Sequence, residues 1–257
     1  MPSWDADQYL RFEAERTRPC AELAQRIALE PKHVIDLGCG PGNSTTVLAK
    51  RWPGAALNGL DSSPAMIEAA RKSTVRAQWL AGDIASWPHL GGEAFDLVFS
   101  NAALQWLPDH HGLLPALMGK VAEGGALAFQ VPMNTEAPAH VAARRLAATP
   151  AWQAHFPKPV REWSVLSPEA YFDILAPRAG RIDLWTTEYW QVMESQAAVL
   201  EWYRGTGLRP YLDALPDPTL RSKFEADYLR EIAPAFPVRP SGKVLFPFLR
   251  LFLIAYR

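Results

Sequence analysis

Residues 34–45 read Val-Ile-Asp-Leu-Gly-Cys-Gly-Pro-Gly-Asn-Ser-Thr, and the reading of this stretch decides the fold. An apolar run carrying an acid meets three alternating glycines, Gly38, Gly40 and Gly42. Helical character then runs to Trp52, with Asn43 or Ser44 placed to cap that helix. Glycine lets the backbone turn tightly and approach a ligand with no Cβ in the way. Strand, glycine turn and helix in that order form the ligand-binding corner of a doubly wound α/β sheet. The spacing argues against a dinucleotide. A pyrophosphate loop reads G-x-G-x-x-G, and here the third glycine comes one residue early. Asp36 precedes the first glycine by two residues, and a carboxylate there suits the cationic end of a ligand better than a pyrophosphate.

Working outward, residues 56–60 form a second apolar run that ends at Asp61, twenty-three residues after Gly38. That is close to the distance at which such sheets place a carboxylate on a ribose. Ser62 and Ser63 then precede Pro64 and a predicted helix over 65–72. Met66 falls on its first turn, where two readings stand: a wall for an adenine, or ordinary core. Residues 78–80 lead to Gly82-Asp83-Ile84, and residues 95–101 read as a fully buried fourth strand ending at Asn101. Asp96, low on that strand, reads as a structural carboxylate. A helix is predicted over 113–121, stopped by Gly124-Gly125, with a fifth strand over 126–131. Alternating strands and helices imply a parallel sheet with right-handed crossovers. Asp36, Asp61, Asp83 and Asn101 all fall at C-terminal strand ends, the edge where open α/β sheets bind ligands.

After Pro132 the character changes, with prolines and tryptophans recurring. Residues 139–148, 197–215 and 219–232 read as helices, and residues 182–193 and 243–257 as a sixth and a seventh strand. The expected architecture is one α/β domain over 1–257: a seven-stranded, mostly parallel sheet with helices on both faces and a helical lid. Its core is residues 30–132, 181–195 and 243–257, its leading helices lie within 4–29, and its lid is formed by inserts 133–180 and 196–242. At 257 residues such a chain buries a large core.

The formal charge of −1 gives no electrostatic footprint for nucleic acid. Two cysteines, Cys20 and Cys39, make no disulfide framework, which points to a reducing, cytoplasmic setting. No leader-like N-terminal pattern is read. The apolar run 244–256 carries Arg250 and is too short to span a bilayer. Six histidines show no metal-ligand spacing, so no metal is expected; nor is a membrane or an obligatory protein partner.

Asp-x-Gly-x-Gly-x-Gly resembles the first motif of the class I S-adenosylmethionine (SAM) methyltransferases. The blocks at 14–19, 38–44, 61–66, 101–109 (Asn-Ala-Ala-Leu-Gln-Trp-Leu-Pro-Asp) and 206–210 (Thr-Gly-Leu-Arg-Pro) together resemble the trans-aconitate 2-methyltransferase family, over residues 4–257. The resemblance implies SAM as cofactor, held by Asp36, Gly38, Gly40, Asn43, Asp61, Ser62, Met66, Asp83, Ile84 and Asn101, with Tyr9 closing from the leading helix. Asp61 takes the ribose hydroxyls and Asp83 the adenine amino group, and Ile84 packs on the ring. It further implies methyl transfer to one carboxylate of trans-aconitate, giving a monomethyl ester and S-adenosylhomocysteine.

No catalytic residue is expected for that reaction. A carboxylic acid with a pKa near roughly 4 is already ionised at neutral pH and needs no general base. A trianionic substrate needs cations, and arginine offers a planar fork. Arg209 is the first candidate, followed by Arg18, Arg204 and Arg250, with Gln105 and Trp106 as pocket wall. Three alternatives stand beside this reading: a methyltransferase of malonyl groups on an acyl carrier, a SAM-binding protein without catalysis, and an NAD-dependent oxidoreductase.

Overall fold

The computed structural model describes residues 13–257, with side chains from residue 17 onward; Tyr9 lies outside the described residues. Seven strands are present: β1 His33–Leu37, β2 Ala56–Asp61, β3 Gln78–Ala81, β4 Phe95–Asn101, β5 Val121–Pro132, β6 Arg181–Met193 and β7 Val244–Tyr256. They form one sheet in the order β3-β2-β1-β4-β5-β7-β6. The first five run parallel, and β7 lies antiparallel between β5 and β6. Strands covered on both faces read as continuous apolar runs, and β1 is buried from Val34 to Leu37.

The helices are α1 Glu13–Arg26, α2 Asn43–Arg51, α3 Pro64–Arg71, α4 His110–Met118, α5 Pro138–Ala147, α6 Pro168–Leu175, α7 Gln196–Arg204, α8 Arg209–Ala214 and α9 Pro218–Ile232. Successive strand residues face opposite ways, so two cores flank the sheet. Ile35, Val98, Leu127 and Leu251 pack with Leu114 and Leu117 of α4 and Tyr171 and Leu175 of α6. Val34, Leu97, Phe99 and Phe252 pack with Leu23 of α1, Ile27 just after it, and Leu48 of α2. A third core lies within residues 139–236, where Trp152, Trp163, Trp202, Tyr203, Phe224 and Tyr228 pack with Phe246 and Phe248 of β7.

Three local expectations are corrected. The helix predicted over 113–121 is α4, started by Asp109, whose carboxylate accepts the Gly112 N–H at 2.9 Å. Val121 already belongs to β5, and Gly124-Gly125 lie inside that strand rather than ending a helix. Between Phe95↔Val121 and Leu97↔Ala126 the ladder advances two residues on β4 and five on β5. The bulge needs a left-handed residue, which Gly124 supplies at φ 73°. Secondly, neither Asn43 nor Ser44 caps α2; Gly42 holds that position at φ 98°, and no side chain caps it. Thirdly, the single helix read over 197–215 is α7 and α8, broken at Gly205–Leu208. There Thr206 Oγ1 donates to the Trp202 carbonyl at 3.0 Å, and a Cβ on Gly207 would lie 2.5 Å from His140 Cε1. The helix ends at Arg204 with Gly205 as its C-cap.

Candidate cofactor and acceptor site

Sheet order reverses at β1, whose neighbours are β2 and β4, and such a switch point opens a crevice at the C-terminal strand ends. The glycine turn leaves β1 at this point. Gly38 and Cys39 N–H both donate to the Leu60 carbonyl, at 2.8 and 3.1 Å, tying the turn to the end of β2. Gly38 has φ 75°, and a Cβ there would overlap the Cβ of Ala103. The turn thus runs flush against the segment following β4.

Asp61 lies beside the turn. Its Oδ2 accepts the Gly40 N–H at 2.9 Å and its Oδ1 the Ser63 N–H at 2.8 Å. Burial raises its pKa, against the pull of those two N–H donors. Asp36 sits one layer deeper, at 0% exposure. Its Oδ2 accepts from Ser44 Oγ (2.6 Å) and Thr45 Oγ1 (2.7 Å), whereas its buried Oδ1 has no partner. Burial pushes its pKa up to about 6, the two hydroxyls oppose the shift, and the Asp61 charge adds to it. Asp36 therefore lies beneath the turn, where the sequence placed it in direct contact with a ligand. The inward-facing hydroxyls also explain why Ser44 does not cap α2.

A small cleft lies over the turn, lined by Gly38, Cys39, Gly40, Pro41, Asn43, Ser44 and Asn101, with Thr17 and Cys20 from α1. The lining by Thr17 and Cys20 was missed; the one available signal was Thr17 inside the 14–19 block. Both thiols are free, and burial raises both pKa values, so neither is an activated nucleophile. On the far side of Asp61, Ser62 and Asp83 are exposed and Met66 and Ile84 are buried. The Asp83 carboxylate accepts the Ala85 N–H at 3.0 Å.

A buried chain supports Asn101 from behind. Arg250, 5% exposed on β7, donates from Nη1 to Gln130 Oε1 at 3.0 Å. Gln130 Nε2 then donates to Asn101 Oδ1 at 2.7 Å. A guanidinium has no acceptor, so Arg250 sets the orientation of both amides. The NH₂ end of Asn101 is the end turned away from Gln130. Arg250, expected among the substrate clamps, thus acts within the sheet, with its guanidinium 4.8 Å from the Phe248 ring. Gln130 was not singled out from the sequence.

Beyond Asn101, Ala102 is the one described non-glycine residue with positive φ, at 53°. This strained position leads into a single 3₁₀ turn over Leu104–Trp106. Gln105 is buried, and its Nε2 donates to the Ala102 carbonyl at 2.6 Å. The aromatic inserts meet this turn: Ser164 N–H donates to the Gln105 carbonyl at 2.8 Å, Arg161 donates to the Trp106 carbonyl, and Trp163 meets the Trp106 ring edge-on at 6.0 Å.

The remaining arginines separate. Arg209 opens α8 with its side chain 15% exposed and its Nε 3.4 Å from Asp213 Oδ2. Arg18 is 67% exposed, paired with Glu22 at 2.8 Å and 5.0 Å from the Tyr189 ring. Arg204 holds Glu225 with Nε at 2.6 Å and Nη2 at 3.0 Å, and its Nη1 donates to Glu201. The Arg204 fork is spent tying α7 to α9, which corrects its assignment to the substrate.

A family model described as a methyltransferase domain matches residues 34–125. Over nearly the whole chain the protein is similar to curated trans-aconitate 2-methyltransferases. That of Methylobacterium radiotolerans is 48% identical, covering 99% of this chain and 98% of its own. The corresponding figures are 44%, 100% and 100% for Azoarcus sp., and 42%, 100% and 99% for Escherichia coli. Among solved structures, the YcgJ protein of Bacillus subtilis superposes with a TM-score of 0.60 at 14% identity, covering 95% of this chain and 98% of its own. The plantazolicin methyltransferase BamL, in complex with a triazolic desmethylPZN analogue and SAH, gives 0.52 at 15%, covering 98% and 90%. Sheet order, glycine turn and the acid closing β2 define a class I methyltransferase, with SAM as its cofactor. Within that class the chain belongs to the trans-aconitate 2-methyltransferase family.

Proposed function

We propose that this protein esterifies one carboxylate of trans-aconitate, giving a monomethyl ester and S-adenosylhomocysteine. The observation that carries this reading is the extent of the likeness: at 42–48% identity it covers the inserts as well as the SAM fold. When bound, SAM would supply an electrophilic sulfonium methyl: a carboxylate oxygen attacks it in line, and the O–CH3 bond forms as the CH3–S bond breaks and S-adenosylhomocysteine leaves. The site's own residues suit that cofactor. A Cβ on Gly40 would meet nothing within 4 Å, so there is room over the turn, and the partly exposed Asp61 stands beside it. Backbone N–H groups of the turn, Asn43 and the Asn101 amide would hold the amino-acid end, Asp61 with Ser62 the ribose, and Asp83, Ile84 and Met66 the adenine. The Asp36 charge acts on the cationic end through the turn.

On the acceptor side Gln105 and Trp106 form the wall, and Arg209 takes a non-reacting carboxylate, with Arg18 as the next candidate. The attacking oxygen carries its negative charge at neutral pH, so the enzyme contributes position and dryness rather than a base. Neutralising opposite charges is favoured where water is excluded. That is the use assigned to inserts 133–180 and 196–242, a lid on one continuous domain. Among the described residues no helix is long and apolar enough to cross a membrane, and two free thiols fit the cytoplasm.

The test is incubation with methyl-labelled SAM and a panel of polycarboxylates that includes cis-aconitate, citrate, isocitrate and malonyl-loaded acyl carrier protein. A labelled trans-aconitate monoester identified by mass spectrometry supports the reading. Label on the carrier instead, or on none of the acids, refutes it.

A further inference from the structure

The aromatic layer holds buried polar atoms that the protein itself leaves without a hydrogen bond: His140 Nε2, Trp163 Nε1, Tyr203 Oη and, next to them, Gln105 Oε1. Folded interiors rarely leave such atoms unpaired, and each one calls for an explanation. These four belong to one connected patch. The His140 ring lies 4.4 Å from that of Trp163 and 5.1 Å from that of Tyr203. Trp163 in turn meets Trp106, and its neighbour Ser164 bonds Gln105. The patch therefore adjoins the turn after β4, where Gln105 and Trp106 wall the acceptor side.

The chemistry of the atoms narrows what would fill it. An indole N–H only donates, a phenol donates readily, and a neutral imidazole offers one N–H. Burial, with the Arg144 charge adding to it, holds the His140 pKa down to about 4, so the ring is neutral at pH 7. Tyr203 is 1% exposed and its pKa is raised by burial, so it stays a protonated donor. Trp163 and Tyr203 give two donors without an acceptor, and His140 gives a third in the tautomer that carries its proton on Nε2; such a set matches an anionic oxygen pair better than an apolar group, for which phenylalanines would serve. Gly207 lies against the His140 ring, and Arg209 follows two residues later in the chain, its Nε 3.4 Å from Asp213 Oδ2. Gln105 Oε1 is an acceptor and takes no part.

We propose that His140, Trp163 and Tyr203 form an inner anion pocket that takes a non-reacting carboxylate of the methyl acceptor. The proposal rests on the carboxylate-methylating function above. Neutral donors in a dry setting bind the ion strongly, because charge-assisted hydrogen bonds are the stronger kind.

Tyr203→Phe tests it by deleting one oxygen while keeping the ring. The full-length protein is compared with this variant by calorimetric titration of trans-aconitate in the presence of S-adenosylhomocysteine, by kcat and KM, and by thermal melting. The pocket predicts at least tenfold weaker trans-aconitate binding, KM raised to match, SAM affinity within twofold and a melting temperature equal or higher. A residue serving only structure does not separate acceptor affinity from stability in this way. His140→Phe should repeat the pattern. Acceptor affinity within twofold of the parent in Tyr203→Phe overturns the pocket, and so does a loss that tracks a lower melting temperature. Because binding is read directly, a parent that binds trans-aconitate but transfers no methyl refutes the function while leaving the pocket standing or falling on the titration.

Discussion

Asp36 provides a prediction in which stability and cofactor binding move in opposite directions. Its carboxyl is raised from 3.8 to about 6 when folded, chiefly by burial. A raised carboxyl contributes stability that is fully present below about pH 3.8 and is lost as pH climbs through about 6. The difference of about 2 pH units, at ~1.4 kcal/mol each, amounts to roughly 3 kcal/mol. Asp36→Asn removes the titration and keeps a carbonyl to accept from Ser44 or Thr45. In the absence of cofactor the variant should match the parent near pH 4 and exceed its stability by up to roughly 3 kcal/mol at pH 7.5. Urea denaturation across that range checks this. His140 works with the opposite sign: its depressed pKa gives stability present above about 6.5 and lost as pH falls through about 4. Only the difference between the two curves therefore isolates Asp36. The ionised carboxylate favours the cationic end of SAM, so the parent's SAM affinity should fall by up to tenfold per unit below pH 6. In the variant calorimetry should find weaker, pH-flat binding. Parallel stability curves, or a variant less stable than the parent at pH 7.5, would refute the argument.

Asp61→Ala removes the acceptor of the Gly40 and Ser63 N–H groups as well as the proposed ribose ligand. It should lose about 1–3 kcal/mol of stability by denaturant titration and at least tenfold in SAM affinity by calorimetry; a stable variant with unchanged affinity argues against both roles. Gly38→Ala meets a left-handed backbone and the Ala103 Cβ together. Those should cost about 1–2 kcal/mol and about 1–3 kcal/mol respectively, and adding Ala103→Gly should return only the steric part in a double-mutant cycle. Arg204→Ala should lower the melting temperature with kcat/KM for trans-aconitate within threefold. Arg209→Lys should instead lower kcat/KM by an equivalent of about 2–4 kcal/mol, because an ammonium cannot replace a bidentate fork.

The first four strands were legible to within a residue or so, because short apolar stretches such as 34–35 and 97–99 carry the signature of a sheet covered on both faces. Gly124-Gly125 was misread because a helix stop and a β-bulge both call for a left-handed glycine. Only the pairing of β4 with β5 distinguishes them. Ser44 was misread for a similar reason: a hydroxyl after a glycine turn signals a cap locally, but a buried Asp36 claims it.

Sequence alone determined the switch-point corner: the turn after β1, Asp61 at the end of β2, and Asn101 at the end of β4. Each is a local arrangement, and local backbone chemistry is what spacing records. Tertiary structure alone decided which charged groups are engaged within the protein. Arg204 meets Glu225 twenty-one residues away, and Arg250 meets Gln130 across 120 residues. It also brought His140, Trp163 and Tyr203 together from three separate segments. Such pairs leave no periodicity in the chain, since what selects them is the need of buried polar groups for partners once the sheet and its inserts have closed.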